Sequence, residues 1–223
     1  MKLCCPQLQT TFVMKPQVLN RIVVEDIVSY ENLVLALYRQ IYEKQETLSC
    51  FFDDAPYAIA KHFELILSPL DVTYDKKELQ RKLYQYLAGE LELLDISEKM
   101  AAVYGELLQL LEEGAVYVTY PIEYSADFDL SELFKLLGVQ LKQPEGRFVE
   151  RLIDYGTTVK QLLDKQVFVL ANCAAYLTAE DYVYLQQWLQ YEEVYVILLE
   201  QSQHPLHFPI HEVIIDTDLC EIY

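Results

Sequence analysis

Val167-Phe168-Val169-Leu170-Ala171 and Val194-Tyr195-Val196-Ile197-Leu198-Leu199 decide the fold. Each is a continuous apolar run rich in branched and aromatic side chains, the pattern of a strand buried on both faces. Between them a helix starts at Thr178, whose side chain can cap Glu180-Asp181, and Leu177, Tyr182, Leu185 and Trp188 supply its buried side. Strand, helix and strand in that order make a βαβ unit, so the two strands are expected to be parallel with a right-handed crossover. Val213 to Asp216 can add a third strand. The expected class is α/β with a largely parallel sheet.

Upstream, Arg147 to Leu163 reads as a helix, preceded by a short one from Leu130 to Leu137 that stops at Gly138. Asp75 to Leu94 places Leu79, Leu83, Tyr86 and Leu87 on one face, and Asp95-Ile96-Ser97-Glu98 has the spacing of a capping box that opens the next helix. That helix carries the stripe Ile96, Met100, Val103, Leu107, Leu110, Leu111 and ends at Gly114. Two such helices joined by a few residues form an αα-hairpin. The spacing also predicts a strand over Val116 to Glu123, a helix from Ile27 to about Lys44, and short extended pieces at Phe51 to Asp54 and Phe63 to Leu67. At the start, Leu8 to Met14 and Val18 to Glu25 read as two strands of a hairpin or bent edge around Lys15-Pro16.

The 223 residues are 52% hydrophobic and 23% charged, enough for a substantial core and against wholesale disorder. Thirty-five acidic against 17 basic residues leave a formal charge of −18, which excludes a uniformly basic nucleic-acid coat, so any phosphate-binding surface must be local. Only 6 glycines occur, little material for a glycine-rich nucleotide loop. No run of roughly 18 apolar residues is present and Met1 to Pro6 lacks a secretory pattern, so the chain reads as cytoplasmic, with no membrane partner. The five cysteines (Cys4, Cys5, Cys50, Cys173, Cys220) contain no C-x-x-C and read as reduced thiols.

Several chemistries can be weighed on the residues. Val196 to Leu199 followed by Glu200 has the form of a Walker B strand, yet no G-x-x-x-x-G-K-[ST] accompanies it, so the phosphate cradle cannot be assembled in the usual way. His204, His207 and His211 suggest zinc, but Pro205 and Pro209 interrupt the series and favour solvated loop histidines. Asp53, Asp54, Glu200 and Asp216 are the carboxylates that a metal-dependent phosphoesterase or nuclease would use. Glu123, Asp127, Asp129 and Glu132 offer hard oxygen ligands suited to calcium, without EF-hand spacing; the alternative is a solvated loop with Asp129 capping the helix at Leu130. Residues 166–223 hold nine carboxylates and no lysine or arginine, so that segment is not a phosphate-binding face. Lys76, Lys77, Arg81 and Lys82 cluster on the first hairpin helix, with Lys77 and Arg81 as i,i+4 neighbours able to touch a duplex backbone without reading sequence. A surface rich in the 18 tyrosines would instead serve a protein-docking module.

Taken together, Val24-Glu25-Asp26, Phe51-Phe52-Asp53, Leu136-Leu137-Gly138-Val139, the stretch from Val167 through Thr178 to Leu199-Glu200, and Phe208-Pro209 resemble a known family in order and spacing. It is the CRISPR-associated adaptation protein of subtype II-A that forms rings on double-stranded DNA ends. The resemblance implies an α/β head like a degenerate P-loop ATPase over residues 1–73 and 114–223, with a helical leg over residues 74–113. It implies four subunits in a ring with a basic lumen for linear duplex DNA, calcium supporting the ring, and no catalysis. It also implies work in spacer acquisition beside the adaptation integrase and the RNA-guided nuclease. On this resemblance Glu123, Asp127, Asp129 and Glu132 are calcium-ligand candidates, and Arg21, Lys76, Lys77, Arg81 and Lys82 are DNA contacts.

Overall fold

The computed structural model describes residues 1–125, 127–204 and 208–222. In chain order its elements are β1 (Lys2–Cys5), β2 (Thr10–Val13), β3 (Asn20–Val24), α1 (Ile27–Tyr42), β4 (Ser49–Phe52), β5 (Ala55–Pro56), α2 (Ile59–His62), β6 (Phe63–Ile66), α3 (Lys77–Leu93), α4 (Ile96–Ala115), α5 (Leu130–Leu136), α6 (Phe148–Leu163), β7 (Val167–Ala171), α7 (Ala179–Tyr191), β8 (Tyr195–Glu200), β9 (His211–Ile215) and β10 (Glu221–Ile222). They fall into two compact units, Met1–Tyr74 with Gln143–Tyr223, and Asp75–Lys142. The second unit therefore runs past a hairpin of residues 74–113 and takes in α5.

In the first unit the main sheet has the order β10-β9-β3-β8-β7-β6. β3, β6, β7, β8 and β9 pair in parallel, and β10 adds antiparallel to β9. The apolar runs at β7 and β8 are register neighbours, Val167 opposite Tyr195 through Ala171 opposite Leu199, as the βαβ reading requires. A second, antiparallel sheet has the order β2-β1-β4-β5. The hairpin expected around Lys15-Pro16 does not form: β2 pairs with β1, and β3 pairs with β8 and β9. β3 is buried at every residue and belongs at the middle of the parallel sheet, whereas β2 has one buried residue and suits a sheet margin. The turn between them is closed by Asn20, whose side chain accepts from Lys15 N–H at 2.7 Å and donates to the carbonyls of Lys15 and Val18.

The two faces of the parallel sheet are covered differently. On one, Leu33, Leu37 and Ile41 of α1 join Ile22, Val24, Val169, Ile197 and Val213, together with Leu3, Phe12 and Cys50 of the second sheet, in a single core. Each such side chain contributes about 1.5–3 kcal/mol when fully buried. On the other face α6 and α7 pack over the strands, and Trp188 meets Phe168 edge-on with ring centroids 5.1 Å apart. Gly156 makes that fit possible, because a Cβ there would lie 2.4 Å from Trp188 Cζ2.

In the second unit α3 buries Leu79, Leu83 and Tyr84. α5 is fastened to it by hydrogen bonds from Gln80 Nε2 and Tyr84 Oη to the Val139 carbonyl, at 2.5 and 3.2 Å. The turn that presents this carbonyl depends on Gly138, whose φ of +66° is left-handed. Asp95 does not cap α4. It sits at φ 55° between the helices, where its side chain cannot reach the first-turn N–H groups. The strand expected over Val116 to Glu123 is absent. Tyr117 and Val118 N–H groups bond back to the carbonyls of Gly114 and Ala115, and no neighbouring strand among the described residues offers a ladder.

Candidate nucleic-acid interface

A helical repeat of 3.6 residues turns positions two apart by about 200°, so burial of Leu79 and Leu83 sends Lys77 and Arg81 to the opposite side of α3. Both are exposed, and Lys82 is half-exposed beside them. Elsewhere Lys2, Arg21, Lys61, Lys135, Arg147 and Lys160 each lie within 4 Å of a carboxylate. Among the described residues Lys77, Arg81 and Lys82 have no such partner, nor do the scattered Lys15, Arg39, Lys44, Lys99 and Arg151, and the Glu78–Lys82 pair that the spacing allows is not formed. Lys76, the residue before α3, is half-exposed and engaged in an interaction of its own.

Arg21 corrects the sequence reading. It is 3% exposed, on the central strand β3, with Nη1 2.8 Å from Glu212 Oε1. Its guanidinium also donates to the carbonyls of His204 and Ser202 at 2.8 and 3.4 Å. A guanidinium so enclosed holds the β8–β9 crossover and presents nothing to a DNA backbone. The sequence signal was available, since Arg21 lies within an otherwise apolar strand.

The acidic loop is committed locally. Asp129 Oδ1 accepts from Ser131 N–H at 2.7 Å as the cap of α5, and Glu132 pairs with Lys135 at 2.5 Å. Asp127 N–H bonds to Ser125 Oγ, and Glu123 is exposed. Among the described residues no three His, Cys, Asp or Glu side chains gather as a metal site. Glu123, Asp127, Asp129 and Glu132 are accordingly not drawn together as one such group. The phosphoesterase candidates are dispersed too. Asp53 and Asp54 form a left-handed turn with Asp54 paired to Lys2, and Asp216 accepts from the N–H groups of Asp218 and Cys220. Of the histidines, His204 faces Ser202 Oγ at 3.2 Å and His211 faces the Val13 carbonyl at 2.8 Å; His207 lies outside the described residues.

The carboxyl edge of the parallel sheet, where open α/β folds bind ligands, is bridged by the chain's own hydrogen bonds. At the N-terminus of α1, the position suited to a phosphate, Asp26 Oδ2 accepts from Ser29 N–H at 2.8 Å. Hydrogen bonding to the Ser29 side chain, and then to its N–H, holds the Asp26 carboxyl below its usual range. Gln201 Nε2 donates to the Glu25 carbonyl and Gln201 N–H to Asn172 Oδ1, both at 3.1 Å, tying the ends of β3, β7 and β8 together. Glu200 accepts from Ala174 N–H at 3.2 Å, and burial pushes its carboxyl upward against the pull of that bond and of Arg21. The neighbouring Cys173 thiol is pushed up to about 12 by burial and by Glu200. None of these bridges was foreseen in the sequence, although the lack of glycine after Val24 is the sign of one.

A different surface is left uncovered. Among the described residues of α4 none is buried, although Val103, Leu107, Leu110 and Leu111 form an apolar stripe, each more than two-fifths exposed. Val116, Tyr117 and Tyr120 extend it at 81%, 90% and 79% exposure. Among the described residues no helix is long and apolar enough to cross a membrane.

An α/β protein with a helical second unit and a basic ridge on α3 is the class these observations define. The family model described as CRISPR-associated protein (Cas_Csn2) matches residues 41–219. The chain belongs to this family. A CRISPR-associated protein Csn2 of Streptococcus agalactiae is 24% identical over 201 residues, covering 87% of this chain and 86% of that protein. Another Csn2, of Enterococcus faecalis, is 23% identical over 185 residues, covering 80% of each. The crystal structure of Stu0660 of Streptococcus thermophilus shares the fold with a TM-score of 0.59 at 16% identity, over 91% of this chain and 69% of that one. The resemblance read in the sequence is thereby shown, and with it a CRISPR-associated role.

Proposed function

We propose that the protein holds ends of double-stranded DNA, without reading sequence and without catalysis, as a ring of four copies that serves spacer acquisition. The observation that carries this reading is the ridge of Lys77, Arg81 and Lys82, cations left free of carboxylates in a chain of charge −18. Four copies carry −72, four times −18, so DNA approaching from outside is repelled. A ring whose α3 cations line one lumen resolves the conflict, because repeated weak backbone contacts suffice once the duplex is encircled. The uncovered apolar stripe of α4 supports self-association, since an apolar helix face with no partner in its own chain is a place for another copy to dock.

The first unit, on this reading, is a P-loop-like scaffold that has given up its nucleotide, with Asp26 standing where a phosphate would. Calcium belongs to the reading as a support for the ring, completed only where a second copy adds ligands, and no step of the proposal runs through it. The adaptation integrase and the RNA-guided nuclease of the same system are the partners it serves. The test is the salt dependence of binding to linear duplex, by fluorescence anisotropy. Reversing both charges, Lys77→Glu with Arg81→Glu, should flatten the slope of log K against log[salt] by about 2 per subunit engaged. An unchanged slope would remove α3 from the interface.

A further inference from the structure

We infer that the outward face of α7 is a docking surface for a basic protein partner, distinct from the DNA-binding ridge and independent of the DNA reading. The inner side of the helix is fixed by Tyr182, Leu185, Trp188 and Leu189, all buried. The other side carries Glu180, Tyr184, Gln187 and Tyr191, spaced four, three and four residues apart and hence in one ridge. Tyr184 is 52% and Tyr191 86% exposed, far more than an aromatic side chain needs for packing within this chain. Glu193, just past the helix, adds a second exposed carboxylate.

The ridge is rigid. Asp181 Oδ2 accepts from Thr178 N–H and from Arg147 Nη2, each at 2.7 Å, which locks the first turn, and Trp188 Nε1 donates to Thr157 Oγ1 at 3.0 Å. Rigid tyrosines give large contact area with little loss of conformational freedom on binding.

Charge selects the occupant. Residues 166–223 contain no lysine or arginine, and two cations that reach α7 from before and within α6 are committed, Arg147 to Asp181 and Lys160 to Glu192, leaving Arg151 of α6 without an ion pair among the described residues. Glu180 and Glu193 thus project a negative field beside two aromatic faces. Guanidinium and ammonium groups satisfy both features, pairing with carboxylates and lying over phenol rings. A phosphate backbone is repelled, and a second copy of this chain, at −18, carries net charge of the same sign outside its α3 ridge. The complementary partner is a protein surface bearing arginine and lysine.

The probe is a labelled helical peptide with arginine and lysine along one side of an alanine host, titrated against the full chain by fluorescence anisotropy. Two double variants test the ridge, Glu180→Lys with Glu193→Lys, and Tyr184→Ala with Tyr191→Ala. A third, Glu43→Lys with Glu46→Lys, makes the same charge change at exposed positions elsewhere on the first unit. The charge reversal on α7 should weaken binding about tenfold, or about 1.4 kcal/mol, and the tyrosine removal several-fold, with less than about twofold from the distant pair. Equal weakening by the two charge reversals, or indifference to the tyrosines, would reduce the attraction to net charge alone and overturn the inference. Far-UV circular dichroism confirms that each variant retains its helices.

Discussion

Arg21 and Glu212 stand directly opposite each other in the β3–β9 register, and Arg21 Nη1 lies 2.8 Å from Glu212 Oε1. Removing the guanidinium leaves Glu212, whose side chain is 33% exposed, and the carbonyls of His204 and Ser202 without their partner. Arg21→Met should therefore lower unfolding stability by about 1–3 kcal/mol in urea titrations. The salt slope of DNA binding should be unaltered at temperatures where the variant is folded. A changed slope with unchanged stability would return Arg21 to the DNA surface.

Gly156 and Trp188 fit closely within the first unit. A methyl group at Gly156 meets the indole at 2.4 Å, and the ring cannot retreat without losing Phe168 and the bond to Thr157. Gly156→Ala should cost about 1–3 kcal/mol. Trp188 is the single tryptophan, so its fluorescence reports the change directly in denaturant titrations. An unshifted midpoint would mean that α6 and α7 yield more easily than their packing implies.

What was legible in the sequence follows from how burial writes itself into composition. β7 and β8 were plain because strands covered on both faces must be apolar throughout. α1 and α3 were plain because one covered face gives a helical period. β1 was missed, since Lys2-Leu3-Cys4-Cys5 is short and acquires strand character only through β2 and β4. The reverse holds for residues 116–123, which have β-forming side chains and no neighbour to pair with. Asp95 shows that a capping spacing does not fix the backbone angles a cap requires. At the candidate site, Lys77 and Arg81 were readable from i,i+4 spacing because that relationship is local. Arg21 was not, since its burial depends on β8 and β9, far along the chain. The four acidic residues were grouped by proximity in sequence, whereas capping and ion pairing use Asp129 and Glu132 separately.

Glu200 gives a pH dependence of definite sign. Burial raises its carboxyl above the ordinary value of 4.5, so the folded state binds a proton that the unfolded state has released. Its contribution to stability is complete below the unfolded value and declines as pH rises through the raised folded value. Glu200→Gln keeps an acceptor for Ala174 N–H and removes the ionisation. Compared with the parent chain, the variant should lose less stability between pH 4.5 and neutrality in thermal unfolding followed at a series of pH values. Parallel curves for the two proteins would mean that Glu200 is solvated in the folded state.

The central claim is encirclement of a DNA end, and topology tests it most directly. A linear duplex and a covalently closed relaxed circle of identical sequence, offered at the same moderate salt with calcium present, differ only in having ends. The account predicts retention of the linear form, little retention of the circle, and recovery of binding when the circle is cut once. Equal retention of circle and line would contradict it, leaving a surface that touches DNA from the side.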